Sequence, residues 1–96
     1  MSKTNRHVKL TKHASQRALE RNITREKIAF VINNPIETIY DSERGNYKSF
    51  AQVRYPHKSQ ETYLMVIHTK LNTAVTVIST MWQTTGGLRR VGFSKV

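Results

Sequence analysis

The feature that most constrains this chain is a change of hydrophobic period at Asn33-Asn34-Pro35. Before it, Ile28, Val31 and Ile32 stand at i, i+3 and i+4, the spacing of one helix face. After it, apolar and polar residues alternate, the spacing of a strand. Proline pushes the preceding residue out of the helical region, so the switch coincides with a helix end. A run of helix followed by a run of strands excludes a helix bundle and an alternating β/α sheet, and points to α+β.

Upstream, His7-Val8-Lys9-Leu10 alternates and reads as a short edge strand. Thr11 can cap a helix from Lys12 to Arg21 whose apolar side is Ala14, Ala18 and Leu19. Asn22 tolerates positive φ and stops it. Thr24 caps the second helix, with Glu26 well placed in its first turn. Downstream, strands are expected at 36–41, 48–55, 62–69 and 74–82, with turns at 42–46 and 70–73. The last of these is rich in β-branched residues, the composition of a central strand. The expected fold is α+β: two N-terminal helices on one face of a mostly antiparallel four- to five-stranded sheet, in the order β-α-α-β-β-β-β. Residues 1–6 read as a basic flexible arm and 7–82 as a single α+β domain. Residues 83–96 read as a basic C-terminal tail after the break at Gly86-Gly87, with Val91 and Phe93 open to a last short strand or an ordered flap.

The 96 residues carry 16 Lys and Arg against 6 Asp and Glu, a formal charge of +10. Such a charge costs a small domain stability by self-repulsion, and the usual reason to tolerate it is a polyanionic partner. RNA or DNA is expected first, because neutralising phosphates releases counterions. Residues 1–27 carry net +6, 28–56 net 0 and 57–96 net +4, so the two ends form one basic face if they meet in space. The chain has no cysteine, which excludes a disulfide framework, a CxxC zinc site and a thiol nucleophile. The longest apolar runs are four residues and a membrane span needs roughly 20, so no span is expected. A membrane-surface helix wants Trp, Phe and Leu opposite its basic residues, and the first helix carries Ala and one Leu instead, so no membrane partner is expected. With no secretory signal either, a reduced cytosol is the expected compartment. No histidine pair has metal-binding spacing on one helix, and neither a metal nor another cofactor is expected.

Four constellations could carry chemistry. His13, Arg17 and Arg21 lie four apart and project as a row from the first helix. Guanidinium groups bind phosphate oxygens bidentately, and a histidine beside them can serve as general acid or base. Alternatively the row is a solvated face with Glu20 pairing to an arginine. His68 shares a strand face with Leu64 and Val66, and is either a satisfied core residue or the complement to His13. Thr80 and Trp82, with Arg89 and Arg90 beyond, offer a hydroxyl, a stacking ring and two cations for a nucleotide, unless Trp82 simply closes the core. Arg54 and Tyr55, with Lys58 just beyond, could reach a concave sheet face opposite the helices, or lie in solvent. Scattered acids and the lack of a Gly-rich phosphate loop leave metal-free chemistry as the fitting scheme for a nuclease: base, acid and cations acting on the RNA 2′-hydroxyl.

The run His13-Ala14-Ser15-Gln16-Arg17-Ala18-Leu19-Glu20-Arg21-Asn22-Ile23-Thr24 resembles the opening of a family of small bacterial and phage proteins of unassigned function. That family has a short strand, a His-Ala-x-x-Arg-x-x-x-Arg helix, a Gly/Asn-Ile-Ser/Thr junction and a second helix. It ends in a strand similar to Val77-Ile78-Ser79-Thr80, and the resemblance covers about residues 7–82. Its architecture resembles the RelE/ParE and barnase-like toxins. The resemblance implies a metal-independent, RelE-like ribonuclease of toxin type, with His13, Arg17 and Arg21 as motif residues. It also implies an acidic antitoxin or immunity protein as partner, with ParE-like inhibition of a protein target as an alternative. A non-catalytic nucleic-acid-binding protein is the plainer alternative. The basic arm, the Gly86–Val96 tail and Ser79 in place of threonine depart from the family pattern.

Overall fold

A computed structural model describes residues 7–53, 62–71 and 74–96. The described elements are β1 (His7–Leu10), α1 (Lys12–Glu20), α2 (Arg25–Asn33), β2 (Glu37–Asp41), β3 (Asn46–Gln52), β4 (Tyr63–Leu71), β5 (Ala74–Gln83) and α3 (Thr85–Val91). The strands form one mixed sheet in the order β1-β5-β4-β3-β2. Strands β2 to β5 are an antiparallel meander, and β1 runs parallel to β5 at the far edge. The α+β class and the two helices on one sheet face are as the sequence leads one to expect.

Local chemistry sets the helix ends. Thr11 Oγ1 accepts from the Ala14 amide at 3.1 Å and Thr24 Oγ1 from the Lys27 amide at 3.2 Å, satisfying one orphan donor each. Asn22 at φ 57° turns the chain out of α1, and the Ile23 amide returns to the Ala18 carbonyl at 2.8 Å. Ile23 thereby drops into the core. The α1/α2 layer buries Ala14, Ala18, Ile28, Val31 and Ile32 against Ala51, Leu64, Val66, Val75 and Val77 of the sheet.

One irregularity decides which side chains meet α1. The β4/β5 register shifts between Ile67 and His68: Ile67 faces Ser79 but His68 faces Val77, leaving Ile78 as the extra residue of a bulge. A regular strand would put 75, 77, 79 and 81 on one face. The bulge instead places Val75, Val77, Thr80 and Trp82 on the helix side and Met81 on the other.

The C-terminal region is an ordered helix, neither a free basic tail nor a last short strand. Strand β5 runs on to Gln83, and Thr84 caps α3 by accepting from the Gly87 amide at 3.0 Å. Gly92 at φ 121° ends α3, with the Phe93 amide returning to the Leu88 carbonyl at 3.1 Å. Leu88 and Phe93 then bury Phe50 and Met65 in a second core on the sheet face opposite α1 and α2. Strand alternation requires such a cover, since Phe50 and Met65 point away from Ala51 and Leu64. That face is therefore not an open concave surface over its α3 half. Among the described residues, the cations carried by α1 and those carried by α3 therefore lie on opposite sides of the sheet rather than on one face, because α3 covers Phe50 and Met65 while α1 covers Val75 and Val77.

Candidate nucleic-acid interface

The row on α1 separates into three environments. His13 is exposed near the helix start. Arg17 Nη1 pairs with Glu20 Oε1 at 3.0 Å on a surface where both side chains are more than two-fifths exposed. Arg21 turns inward, and its Nη1 donates to the Thr80 carbonyl at 2.8 Å. The clasp is reciprocal: Trp82 Nε1 donates to the Arg21 carbonyl at 2.8 Å. Arg21 and Trp82 thus join the end of α1 to β5, and the bulge makes this possible by turning Thr80 and Trp82 toward α1. Lys27 lies over the Trp82 ring, Nζ 5.8 Å from its centre.

The late-strand constellation does not assemble as one group. Thr80 is fully buried and its hydroxyl donates to the Met65 carbonyl at 3.3 Å. Trp82 packs beside the α1/α2 core. Arg89 and Arg90 are exposed on α3, on the other side of the sheet. Arg54, Tyr55 and Lys58 lie outside the described residues, as does the 1–6 arm.

His68 is 1% exposed. Its Nε2 is 2.8 Å from the hydroxyl of Ser49, itself 1% exposed, and Ser49 Oγ is 2.8 Å from Thr38 Oγ1 at the surface of β2. The three groups form a hydrogen-bonded chain from solvent to a buried imidazole. His13 on α1 and His68 on β4 therefore occupy different environments, one open to solvent and one reached through two hydroxyls. Sequence reasoning missed Ser49 and Thr38. The available signal was the β2/β3 hairpin, whose register sets Thr38 opposite Ser49.

Two of the acids act within the fold. Glu37 Oε1 accepts from the Ser94 and Lys95 amides at 2.9 and 2.7 Å, and Oε2 from the Ser94 hydroxyl at 3.0 Å. The Lys95 amide, more than any other contact, holds the Glu37 carboxyl below its ordinary pKa. Asp41 accepts from Lys48 Nζ at 3.2 Å and from the Glu43 and Arg44 amides across the β2–β3 turn. Lys48 is the main reason that its pKa is lowered. Among the described residues the ion pairs engage Arg17, Arg44 and Lys48. Lys9, Lys12, Arg25, Lys70, Arg89 and Arg90 stand outside them.

A basic flank results along β1 and the start of α1. Residues 7–19 contain Lys9, Lys12 and Arg17 with His7 and His13, and no acid. The Thr11 amide bonds to the Val77 carbonyl, so the backbone N–H and C=O groups of the odd-numbered residues of β1 point to β5 and the Val8 carbonyl points outward. Arg25 Nη2 donates to that carbonyl and adds its charge to the edge. Lys12 and His13 occupy the first turn of α1, and there the helix dipole favours an anion and opposes the Lys12 ammonium.

Residues 10–82 match the model of a domain of unknown function, DUF4258. The chain belongs to that family. The matched span runs from the end of β1 to Trp82, so it takes in α1 and the bulged β5 that bear the Arg21–Trp82 clasp and leaves α3 outside. No curated protein and no solved structure matches this DUF4258 chain. Among its described residues, no helix is long and apolar enough to cross a membrane.

Proposed function

We propose that this protein binds RNA along the flank formed by β1 and the first turns of α1. The observation that supports this is the placement of Lys12 and His13 in a helix turn that has no acid, beside Lys9 and the edge-capping Arg25. The Lys12 ammonium there opposes the helix dipole, a cost of about 0.3–1 kcal/mol that an anionic ligand offsets. The test is fluorescence anisotropy with single-stranded RNA over a salt series. Lys9→Ala and Lys12→Ala should each lower the slope of log affinity against log salt by about 0.7, the value for one phosphate on a single strand. Slopes unchanged in both variants would remove this flank as the interface.

A second reading is cleavage by a RelE-like, metal-independent ribonuclease working in a reduced cytosol. It is favoured by one observation: His13 is exposed on that flank, one turn from Arg17. The imidazole would act as general base or acid on the 2′-hydroxyl, and cations of the flank would stabilise the phosphorane charge. Incubation with RNA in EDTA, comparing wild type with His13→Ala, tests it. RNA that stays intact, ribosome-bound message included, would leave binding alone. A protein recovered in a pull-down after nuclease treatment would favour the ParE-like alternative, in which an acidic partner such as an antitoxin takes the same cations.

A further inference from the structure

A second set of groups lies at the other edge of the sheet. The strand registers place Leu10, Val77, His68, Tyr47 and Tyr40 in one row across all five strands, on the face that carries α1 and α2. Toward β2 the row becomes aromatic. Tyr47 stacks on His68 with ring centres 5.8 Å apart and planes 17° apart, and Tyr40 meets Tyr47 at 4.9 Å. Lys70 Nζ sits 5.3 Å from the Tyr47 ring centre. Tyr40 is 57% exposed on an edge strand.

Thr38 and Lys70 flank this row from opposite sides. Thr38 precedes Tyr40 by two residues on β2, and Lys70 follows His68 by two on β4, which runs in the same direction. Each lies about 7 Å of strand from the row. An open aromatic face with a cation to one side and a hydroxyl to the other fits the parts of one nucleotide: base, phosphate and sugar.

The hydroxyl is also wired. The chain Thr38 Oγ1, Ser49 Oγ, His68 Nε2 has two self-consistent directions. If Nε2 accepts from Ser49, Ser49 accepts from Thr38, and Thr38 presents only lone pairs outward. If Nε2–H donates to Ser49, Ser49 donates to Thr38, and Thr38 directs its O–H outward. A ligand oxygen at Thr38 selects the second direction. Occupancy at the surface is thus registered at a buried imidazole.

We propose that Thr38, Tyr40 and Lys70 form a subsite for one unpaired nucleotide of RNA. The base stacks on Tyr40, the phosphate meets the Lys70 ammonium, and the Thr38 hydroxyl donates to a sugar or base oxygen. This rests on the reading that the protein binds RNA, and adds a contact at the sheet edge remote from β1. The test uses a fluorescein-labelled octa-uridylate with the full chain. Loss of one base–aromatic stack should weaken binding about tenfold in Tyr40→Ala, with Tyr40→Phe close to wild type. Tyr40 and Thr38 are exposed, so these variants keep the fold. In parallel, the ¹⁵N-labelled His68 imidazole is followed by NMR: octa-uridylate should shift its Nε2 signal in wild type and not in Thr38→Val. If wild type binds no RNA, both the flank and this subsite fall. If wild type binds and Tyr40→Ala binds equally well, the subsite falls while the flank stands. A His68 signal that does not move on saturation overturns the relay.

Discussion

At the residue scale, Arg21 and Trp82 show how side chains suited to RNA can be committed to the fold. Both are groups that bind nucleotides elsewhere, yet here each answers a backbone carbonyl of the other's element. Trp82→Phe should keep the packing and lose one hydrogen bond, costing about 1 kcal/mol in urea denaturation. Arg21→Ala should cost about 1–2 kcal/mol, because a partly buried carbonyl loses a charged donor. Neither change should lower RNA affinity measured on folded protein. Ser49→Ala belongs to the same scale. It removes the Ser49 hydroxyl from His68 Nε2 in a site 1% exposed, and about 1–3 kcal/mol of stability should go with it. Motif spacing brought Arg21 to notice but could not tell its role. Its partner is set by the Ile78 bulge, and nothing in the β-branched run Val75-Thr76-Val77-Ile78 marks where an extra residue falls.

At the element scale, α1 and α2 were legible because each carries its own start and stop. Thr11, Asn22, Thr24 and Pro35 act locally, through caps and forbidden dihedrals, so they survive without tertiary context. Helix α3 was not legible, since Gly86-Gly87 opposes helix formation and only packing against Phe50 and Met65 overcomes it. Its signals were present: Thr84 as cap, Leu88 and Val91 three apart, and Gly92 as stop. Leu88→Ala should therefore destabilise the whole protein by about 2–5 kcal/mol, as for a core leucine. The segment after α3 should respond to acid. Glu37 is a carboxylate whose native pKa is lowered, so its contribution is present above the ordinary value of 4.5 and is lost as pH falls through the lower native value. Amide NMR should show Ser94 and Lys95 changing together in that acid range, and Glu37→Gln should weaken the dependence.

At the scale of the whole molecule, +10 has to be reconciled with a stable fold. The sequence located the charge in two end segments but could not say whether they meet, because that depends on which sheet face α3 covers. It covers the face opposite α1, which separates Arg89 and Arg90 from the cations of α1 and lowers the repulsion between those two groups. Glu37 and Asp41 remain close to the segments they hold, and Lys9, Lys12, Arg25 and Lys70 are left outside the ion pairs seen among the described residues. Salt should then act in two opposite directions on one protein. Raising NaCl from about 20 to about 300 mM shortens the screening length from roughly 20 Å to below 10 Å, and so relieves repulsion among the cations. Thermal unfolding of the free protein should move to higher temperature over that range. RNA affinity should fall over the same range, because the counterions displaced on binding become costlier to release. A free protein that loses stability as salt rises would mean that its attractive pairs outweigh the repulsion. In that case the cations are a solvated shell and not a surface held ready for a polyanion.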